Sequence, residues 1–245
     1  MPFTFSHPAL VLPLTFLPRK WVSLTGLVIG SLTPDFEYFI RMRIQSDYSH
    51  TISGLFWFDL PLGIFISFVF HNIVRNSLLN NLPLVLSSRL LTFTKFNWNS
   101  YFKTSWFVVS VSILIGSASH LLWDSFTHSH GYFVSAIPEL TNSLEFFGKT
   151  VPKYKILQHS STLIGGLLIA ISIFKFPIDK KIKTEFKLAY WGILVIITLS
   201  IIGIRLNSGL DYQLYGHVIA TGISAGLISL TLTPVILVVT TPKTA

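Results

Sequence analysis

The chain has 245 residues, of which 51% are hydrophobic and only 11% are charged, and its formal net charge is +8. Soluble globular proteins carry about 25% charged residues, so this composition, with a mean hydropathy of +0.62, excludes an ordinary soluble domain and predicts a membrane protein. The basic residues lie in short clusters between apolar runs, which is typical of loops that contact anionic lipid and argues against nucleic acid as a partner. Cysteine is absent, so any metal must be held by His, Asp or Glu.

The N-terminal part of the chain predicts a helical hairpin, or a broken first span. Residues 7–17 and 21–35 are apolar pieces separated by a Leu-Pro-Arg-Lys turn. Each piece is too short to cross about 30 Å of hydrocarbon at about 1.5 Å per residue. With the turn at the basic pair, helix rise places His7 and Asp35 at one height, so we expect these side chains to meet.

Five later runs are long and apolar enough to be predicted as membrane spans, at residues 51–75, 105–127, 157–175, 188–206 and 217–239. The sequence therefore predicts an all-α polytopic membrane protein, with an N-terminal broken helical hairpin followed by about five transmembrane helices. We interpret residues 1–245 as a single helical membrane domain, in which 1–165 bears the site and 166–245 forms generic transmembrane helices. Residues 131–155 are predicted to form a loop that caps a site.

Charge placement groups the loops by membrane side. The loops at 76–104 and 176–187 have the largest basic excess and are predicted to be cytoplasmic. By alternation, the stretches at 36–50, 128–156 and 207–216 face the other side. Several basic residues on that side conflict with the orientation, but the grouping of loops holds if the arrangement is inverted. Most of the His and Asp side chains are therefore predicted to collect at one membrane face.

The third region ends in a row of potential metal ligands. His120 and Asp124 are four residues apart and share one helix face, and His128 continues the row slightly rotated. Such groups are costly in a membrane unless they bind a metal, bind each other or line a polar cavity. Metal ligation and a simple His–Asp hydrogen bond between helices both fit this spacing. Imidazole and carboxylate ligands without thiolates suit zinc, manganese or iron.

Four short pieces occur in a fixed order along the chain: Ser6-His7, Thr33-Pro34-Asp35, Ser49-His50-Thr51 and Ser119-His120-Leu-Leu-Trp-Asp124-Ser-Phe-Thr127. This ordered set resembles bacterial inner-membrane proteins assigned as metal-dependent hydrolases, some of them controlled by the LexA repressor. A closer likeness is to a related membrane family of unknown function, over roughly residues 1–165. The pieces shared with that family are Pro2-Phe3-Thr4, Ser6-His7-Pro8, Phe58-Asp59-Leu60-Pro61 and Tyr154-Lys155-Ile156-Leu157-Gln158-His159.

The resemblance implies a multi-pass protein of the bacterial inner (cytoplasmic) membrane with a hydrolytic metal centre. By analogy with helical zinc phospholipases C, the metal is zinc, and the implied ligands are His7, Asp35, His50, His120 and Asp124. The chain departs from the hydrolase family at residues 127–131, where Thr-His-Ser-His-Gly stands in place of a turn that more often contains proline.

The expected function is metal-dependent hydrolysis of phosphoester bonds in lipid or lipid-linked substrates. His128, His130 or His159 is a candidate to protonate the leaving group, because imidazole titrates near neutral pH. Three lysines of the capping region are candidates to bind the substrate phosphate as point charges, at Lys149, Lys153 and Lys155. Asp59, about 13 Å deeper than His50 by helix rise, is predicted to support a ligand or to line a cavity.

Two other classes of function remain open. One is a transporter or channel for a divalent cation or protons, and the other is a non-catalytic scaffold with a structural metal. The ionisable groups collect on one side and only Asp59 lies deep, which favours the hydrolase over a transport path. The surplus of ligands argues against a closed structural site. His71 lies near Arg75 at the opposite membrane face and His217 has no partner motif, so both are predicted to be structural.

Overall fold

The computed structural model describes residues 3–146, 148–182 and 187–240. Five helices in this part of the chain are long and apolar enough to cross a membrane. They are span 1 (Ile52–Asn81), span 2 (Trp98–Thr127), span 3 (Lys153–Phe174), span 4 (Leu188–Asn207) and span 5 (Tyr215–Thr240). The prediction of an all-α polytopic membrane protein is confirmed, and each predicted span overlaps one observed helix.

The spans present large apolar side chains outward. Leu163 of span 3 is 75% exposed, and Ile196 of span 4 is 66% exposed. In water such surfaces would be unstable, whereas in hydrocarbon they cost nothing and the helices satisfy their own backbone groups. The exposed apolar residues therefore belong to the lipid-facing surface.

The N-terminal residues form the predicted helical hairpin. Its first arm consists of short helical segments at Thr4–Ser6, Pro8–Val11 and Leu12–Phe16, and its second arm of segments at Leu24–Leu32 and Thr33–Asp35, after which the helix Phe36–Arg41 follows in the chain. Ser23 begins the second arm because its hydroxyl accepts a 3.2 Å hydrogen bond from the amide of Gly26. The arms pack against each other, and Val11, Val22 and Leu27 form the buried cluster between them.

Glycines allow the second arm to approach span 2 closely. Gly26 and Gly30 are four residues apart on the helix Leu24–Leu32, and a Cβ atom at Gly30 would lie 2.2 Å from the backbone oxygen of Ile113. On the facing helix, a Cβ atom at Gly116 would lie 2.4 Å from the backbone oxygen of Leu27. This is the small-residue packing that membrane helices use for close contact. It brings the His120 region of span 2 against the arm that ends at Asp35.

Span 1 is not a uniform α-helix. Residues Leu55–Asp59 and Phe70–Val74 adopt π-helical geometry, in which an extra residue is accommodated within a turn. The first π-helical segment packs against Thr33–Asp35 and ends at the buried Asp59. The irregular turn therefore adjoins the segment that carries Asp35.

The predicted loop at residues 131–155 is wrong in part. It contains a short helix at Tyr132–Ala136 and two antiparallel strands at Ser143–Phe146 and Lys149–Pro152. Gly148 adopts a φ of 71° between the strands, a conformation that glycine adopts without the steric cost of a side chain. Each strand has only four residues, too few for an alternating pattern to stand out in the sequence.

Packing divides the chain into two compact units. Unit 1 comprises the described residues of Met1–Asp35, Tyr48–Ile64 and Phe102–Ser172. Unit 2 comprises the described residues of Phe36–Asp47, Phe65–Tyr101 and Ile173–Ala245. Neither unit is one continuous piece of chain, and the prediction of a single domain over 1–245 stays a prediction.

Unit 2 is held together by the two last spans and by polar contacts to the segment Phe36–Asp47. Span 5 packs along span 4, and the hydroxyl of Ser224 donates a 2.6 Å hydrogen bond to the carbonyl oxygen of Phe39. Nδ1 of His217 accepts a 3.1 Å hydrogen bond from the amide of Ile44. This bond is the kind of structural contact that the sequence predicts for His217.

Candidate metal centre

All five predicted metal ligands lie in unit 1, on three separate parts of it. His7 follows the first helical turn of the hairpin, and Asp35 ends the turn after Leu24–Leu32. His50 lies just before span 1, whereas His120 and Asp124 lie one turn apart in the last third of span 2. The side chains meet because the hairpin packs against span 2.

Four donor atoms form a closed ring. Nε2 of His120 lies 3.5 Å from Oδ1 of Asp35 and 3.4 Å from Oδ2 of Asp124. Nε2 of His50 lies 3.6 Å from each of the same two carboxylate oxygens. Each imidazole nitrogen is therefore flanked by both carboxylates at nearly equal distances.

His7 adds a fifth donor beside this ring. Its Nε2 lies 3.7 Å from Oδ1 of Asp124, the oxygen that is not part of the ring. The imidazole of His7 stacks on the imidazole of His120, with centroids 3.7 Å apart and planes inclined by 8°. Asp124 consequently faces imidazoles with both of its oxygens.

Hydrogen bonds outside the ring orient its members. The Nδ1 of His120 donates to the carbonyl oxygen of Ser31 at 2.7 Å, because a carbonyl oxygen can only accept. This bond leaves the lone pair of the neutral imidazole on Nε2, directed at the carboxylates. The hydroxyl of Thr4 donates a 2.5 Å hydrogen bond to Oδ2 of Asp35, and Nδ1 of His50 pairs with the hydroxyl of Ser49 at 3.0 Å. Metal-binding imidazoles and carboxylates are commonly oriented by such contacts.

Four donor atoms of the cluster are buried and make no hydrogen bond within the described part of the chain. This holds for Nε2 of His7 and His120 and for Oδ1 of Asp35 and Asp124. Their separations of 3.4 to 3.7 Å exceed the usual N–H···O length of about 2.7 to 3.2 Å. Buried polar atoms without partners are costly, and atoms that converge in this way are suited to share a cation.

The spacing fits a metal ion. Donors bound to one zinc ion at about 2.0 to 2.2 Å with tetrahedral angles lie roughly 3.3 to 3.6 Å apart, and the ring distances are 3.4 to 3.6 Å. Two overlapping groups of residues bring their ligand atoms close enough together to hold a metal ion. One group is His7, Asp35 and His120, and the other is His50, His120 and Asp124. They share His120, whose Nδ1 is engaged by Ser31. Since one imidazole nitrogen has a single lone pair, His120 can bind only one ion.

The pKa values of His7, Asp35 and His50 reflect this arrangement. Burial, together with the neighbouring His120, lowers the pKa of His7 to about 3, so that its ring is neutral at pH 7. Burial alone raises the pKa of Asp35, but the imidazoles of His120 and His50 outweigh it, and the carboxyl pKa lies below its ordinary value. For His50, burial lowers the pKa, but contact with Asp124 and Asp35 dominates and raises it. The two carboxylates thus favour positive charge at the centre of the cluster.

We call the side of the centre that carries partly exposed side chains its open side. The side chains of His120 and Asp35 are completely buried, whereas those of His50 and Asp124 are 21% and 10% exposed. His128 lies beside this opening with its side chain 32% exposed and its Nδ1 3.6 Å from Oδ1 of Asp124. Nδ1 of His128 also donates a 3.1 Å hydrogen bond to the backbone oxygen of Asp124, which leaves Nε2 available for proton exchange. A solute would therefore reach the centre past His50 and His128.

The other predicted site residues are not brought to the cluster. His130 and His159 are exposed, and neither takes part in the ion pairs or potential metal-binding groups of the described residues. Their predicted catalytic role stays a prediction, as does the predicted substrate role of the lysines. Lys149 is exposed on the second strand, and Lys153 and Lys155 are in the first turn of span 3, half-buried and exposed respectively.

Sequence reasoning missed the residues that orient the ligands. Thr4 lies within the Pro-Phe-Thr piece of the family resemblance, and Ser49 directly precedes His50. Both residues therefore belong to the motifs, but the motifs assign no role to either. No sequence signal singles out Ser31, because its backbone oxygen, not its side chain, contacts His120. Asp59 is buried and ends the segment that packs against Thr33–Asp35, and its supporting role stays a prediction.

Comparison with known proteins identifies a family but no activity. No curated protein and no solved structure is significantly similar to the chain. The profile of one family, described as a domain of unknown function, matches almost the entire length. The chain belongs to this family, DUF4184, whose match covers residues 1–237.

Proposed function

We propose that the protein is a membrane-embedded metal-dependent hydrolase that cleaves phosphoester bonds in lipid or lipid-linked substrates of the bacterial inner membrane. The observation that carries the proposal is the ring of His50, Asp35, His120 and Asp124, with neighbouring donor atoms 3.4 to 3.6 Å apart. A hydrogen-bonded cluster without a metal would bring its members closer than this.

The donor set supports zinc first, with manganese or iron as other candidates. It combines imidazole nitrogens with carboxylate oxygens and no sulfur, because the chain has no cysteine. With His7, the donors number one more than the four of a closed tetrahedral site. The side chains of His50 and Asp124 are partly exposed, so these residues form the side of the centre that is nearest to solvent. A surplus of donors and an open side both support catalysis over a purely structural metal.

A divalent metal bound here would act as a Lewis acid and would lower the pKa of a coordinated water to about 7. Side chains and hydrogen bonds of the protein perform the remaining steps. His128 stands at the opening with Nε2 available, where it would hold a proton for the leaving oxygen. The Ser31 and Thr4 hydrogen bonds keep His120 and Asp35 fixed while charge changes nearby.

The membrane setting supports a lipid or lipid-linked substrate. The hairpin arms are too short to span, and exposed aromatic side chains stand close to the ligands in the sequence. Phe5, which is 37% exposed, lies two residues before His7, and Tyr48, which is 46% exposed, lies two residues before His50. Aromatic residues of this kind favour the interface between water and hydrocarbon. A substrate whose phosphate lies at that level, such as a phospholipid or a polyprenyl phosphate, would meet the open side of the centre.

The test combines metal analysis with a substrate screen. Wild-type protein is purified in detergent beside His120→Ala/Asp124→Ala and, as a matched control, His130→Ala/His159→Ala. Metal content is measured by mass spectrometry, and hydrolysis of phospholipids and polyprenyl phosphates is followed by the release of inorganic phosphate, phosphorylated headgroup or free lipid alcohol. We expect metal and turnover in the wild type and the control, and neither in the first variant.

Other outcomes separate the alternatives. Equal metal content in all three proteins would show that His120 and Asp124 do not bind the metal. Bound metal without turnover on any of these substrates would contradict the hydrolase, and metal uptake by proteoliposomes would then assign the residues to transport.

A further inference from the structure

A second polar feature lies in unit 2 and takes no part in the metal centre. The chain between Asp59 and Asp124 contains no acidic residue, whereas it contains four basic residues, Arg75, Arg89, Lys95 and Lys103. Positive charge in this segment is therefore not neutralised by any carboxylate nearby in the sequence. Arg75 is the unusual member, because only 6% of its surface is exposed.

The guanidinium of Arg75 is bonded only to uncharged acceptors among the described residues. Its Nη1 contacts the backbone oxygen of Phe96 at 2.8 Å and Nδ1 of His71 at 2.9 Å, and its Nη2 contacts the backbone oxygen of Thr94 at 3.3 Å. Its Nε donates to Oδ1 of Asn76 at 3.0 Å. No carboxylate in the described part of the chain lies within ion-pair distance of it. The arginine thus keeps its full charge in a buried position, which is costly without an anion.

This charge lines a cavity of about 320 Å³ that is open to the surface. The lining is polar and contains no acidic residue, and it includes His71, Asn72, Arg75, Lys95, Asn97 and Trp98. Nδ1 of His71 must accept from Arg75, since arginine has no acceptor, and the imidazole stacks on Trp98 with centroids 4.6 Å apart. The wall that carries the arginine is therefore held rigidly.

A second positive charge stands at the same cavity. Lys95 is exposed and lines the cavity together with Arg75. The side chain of Asn97, which is also part of the lining, accepts a 3.0 Å hydrogen bond from the amide of Ser100. A buried guanidinium and an exposed lysine thus meet at one cavity.

We propose that this cavity binds an anionic phosphate group. Oxygen acceptors of a phosphate match the donors that Arg75 and Lys95 present. The group is carried by a membrane phospholipid headgroup or by soluble phosphate, and both sources offer the same chemistry. The basic loop that contains the cavity is predicted to be cytoplasmic, the side on which anionic headgroups contact basic residues near membrane spans.

The test titrates the full-length protein in detergent by calorimetry with short-chain phosphatidylglycerol, short-chain phosphatidylcholine and inorganic phosphate. Lys95→Gln removes an exposed charge of the lining and leaves folding intact. Lys103→Gln is the matched control, since it removes an equally exposed charge outside the lining. Arg75→Lys keeps the buried charge but loses the forked geometry, and its thermal unfolding is measured to confirm that it folds.

We expect saturable, salt-sensitive binding of phosphatidylglycerol or phosphate, about fivefold weaker in Lys95→Gln, weaker still in Arg75→Lys and unchanged in Lys103→Gln. Binding of phosphatidylglycerol alone assigns the lipid headgroup, and binding of both anions assigns a general phosphate site. The proposal is overturned if neither anion binds the wild type, or if Lys95→Gln and Lys103→Gln bind alike.

Discussion

His7 and His120 stack their imidazole rings face to face at the metal centre, with centroids 3.7 Å apart. Two imidazole rings this close cannot both be positively charged without strong repulsion. Nδ1 of His120 is fixed by Ser31, so the stack and this hydrogen bond together fix its orientation. His7 therefore combines two functions, packing against His120 and offering a nitrogen to the centre.

Replacing His7 with phenylalanine separates these functions. We expect His7→Phe to retain bound metal with roughly 10- to 100-fold weaker affinity, because the stacked ring remains and the four-atom ring does not include His7. His120→Phe removes a member of that ring and is expected to lose the metal. Competition with a chelating dye measures both affinities. Complete loss of metal in His7→Phe would place its nitrogen among the essential ligands.

The Thr4 hydroxyl offers a test of how the ligands are oriented. Thr4→Val keeps the shape of the side chain but removes the hydrogen bond to Oδ2 of Asp35. Loss of such supporting contacts typically weakens metal affinity about 10- to 100-fold. The control is Thr15→Val, whose exposed hydroxyl bonds only to the carbonyl oxygen of Leu12 in the described structure. The same dye competition should show a loss for Thr4→Val alone, and a similar loss in both variants would indicate a general structural effect.

The sequence predicts the spans, the common height of His7 and Asp35 and the shared face of His120 and Asp124 for simple physical reasons, whereas the full set of five ligands is implied by the family resemblance. A run of apolar residues must find an apolar environment, and helix rise fixes the height of His7 and Asp35 on the two arms of a hairpin. The i, i+4 spacing of His120 and Asp124 fixes their common face. These relations depend on local geometry alone, so one sequence was sufficient.

Other features depend on contacts between distant segments and could not be read from the sequence. The short strands at Ser143–Phe146 and Lys149–Pro152 exist only because they pair with each other. The hydrogen bond from His120 to Ser31 joins residues 89 positions apart through a backbone oxygen, which every residue type possesses. For the same reason, the sequence offered His128, His130 and His159 as equals, although only His128 lies at the cluster.

His128 is predicted to act in proton transfer and not in metal binding. We expect His128→Gln to keep its metal and to lower the rate of phosphoester hydrolysis by about 10²- to 10⁴-fold. The exposed histidines provide matched controls, and His130→Gln and His159→Gln are expected to retain the wild-type rate. Steady-state phosphate release on the substrate found in the screen, with metal content measured on the same samples, tests this. An equal fall in rate for His159→Gln would move the proton donor to span 3.

The close contact between the hairpin and span 2 predicts a large difference between two glycine substitutions. In Gly116→Ala, the new Cβ atom would lie 2.4 Å from the backbone oxygen of Leu27 and 2.6 Å from the amide nitrogen of Ser31. Backbone atoms cannot move aside as flexible side chains do, so we expect destabilisation of about 1 to 3 kcal/mol, as for other overpacked sites. Because the displaced segment carries the oxygen that holds His120, metal affinity should fall in the same variant.

Gly166→Ala is the matched control, since no atom lies within 4 Å of the position of its Cβ. Alanine is favoured over glycine in a helix by about 1 kcal/mol, so this variant should unfold at the wild-type temperature or slightly above it. Thermal unfolding in detergent, with and without added zinc, compares the two variants. If Gly116→Ala unfolds at the wild-type temperature and keeps its metal affinity, the hairpin does not hold His120 through this contact.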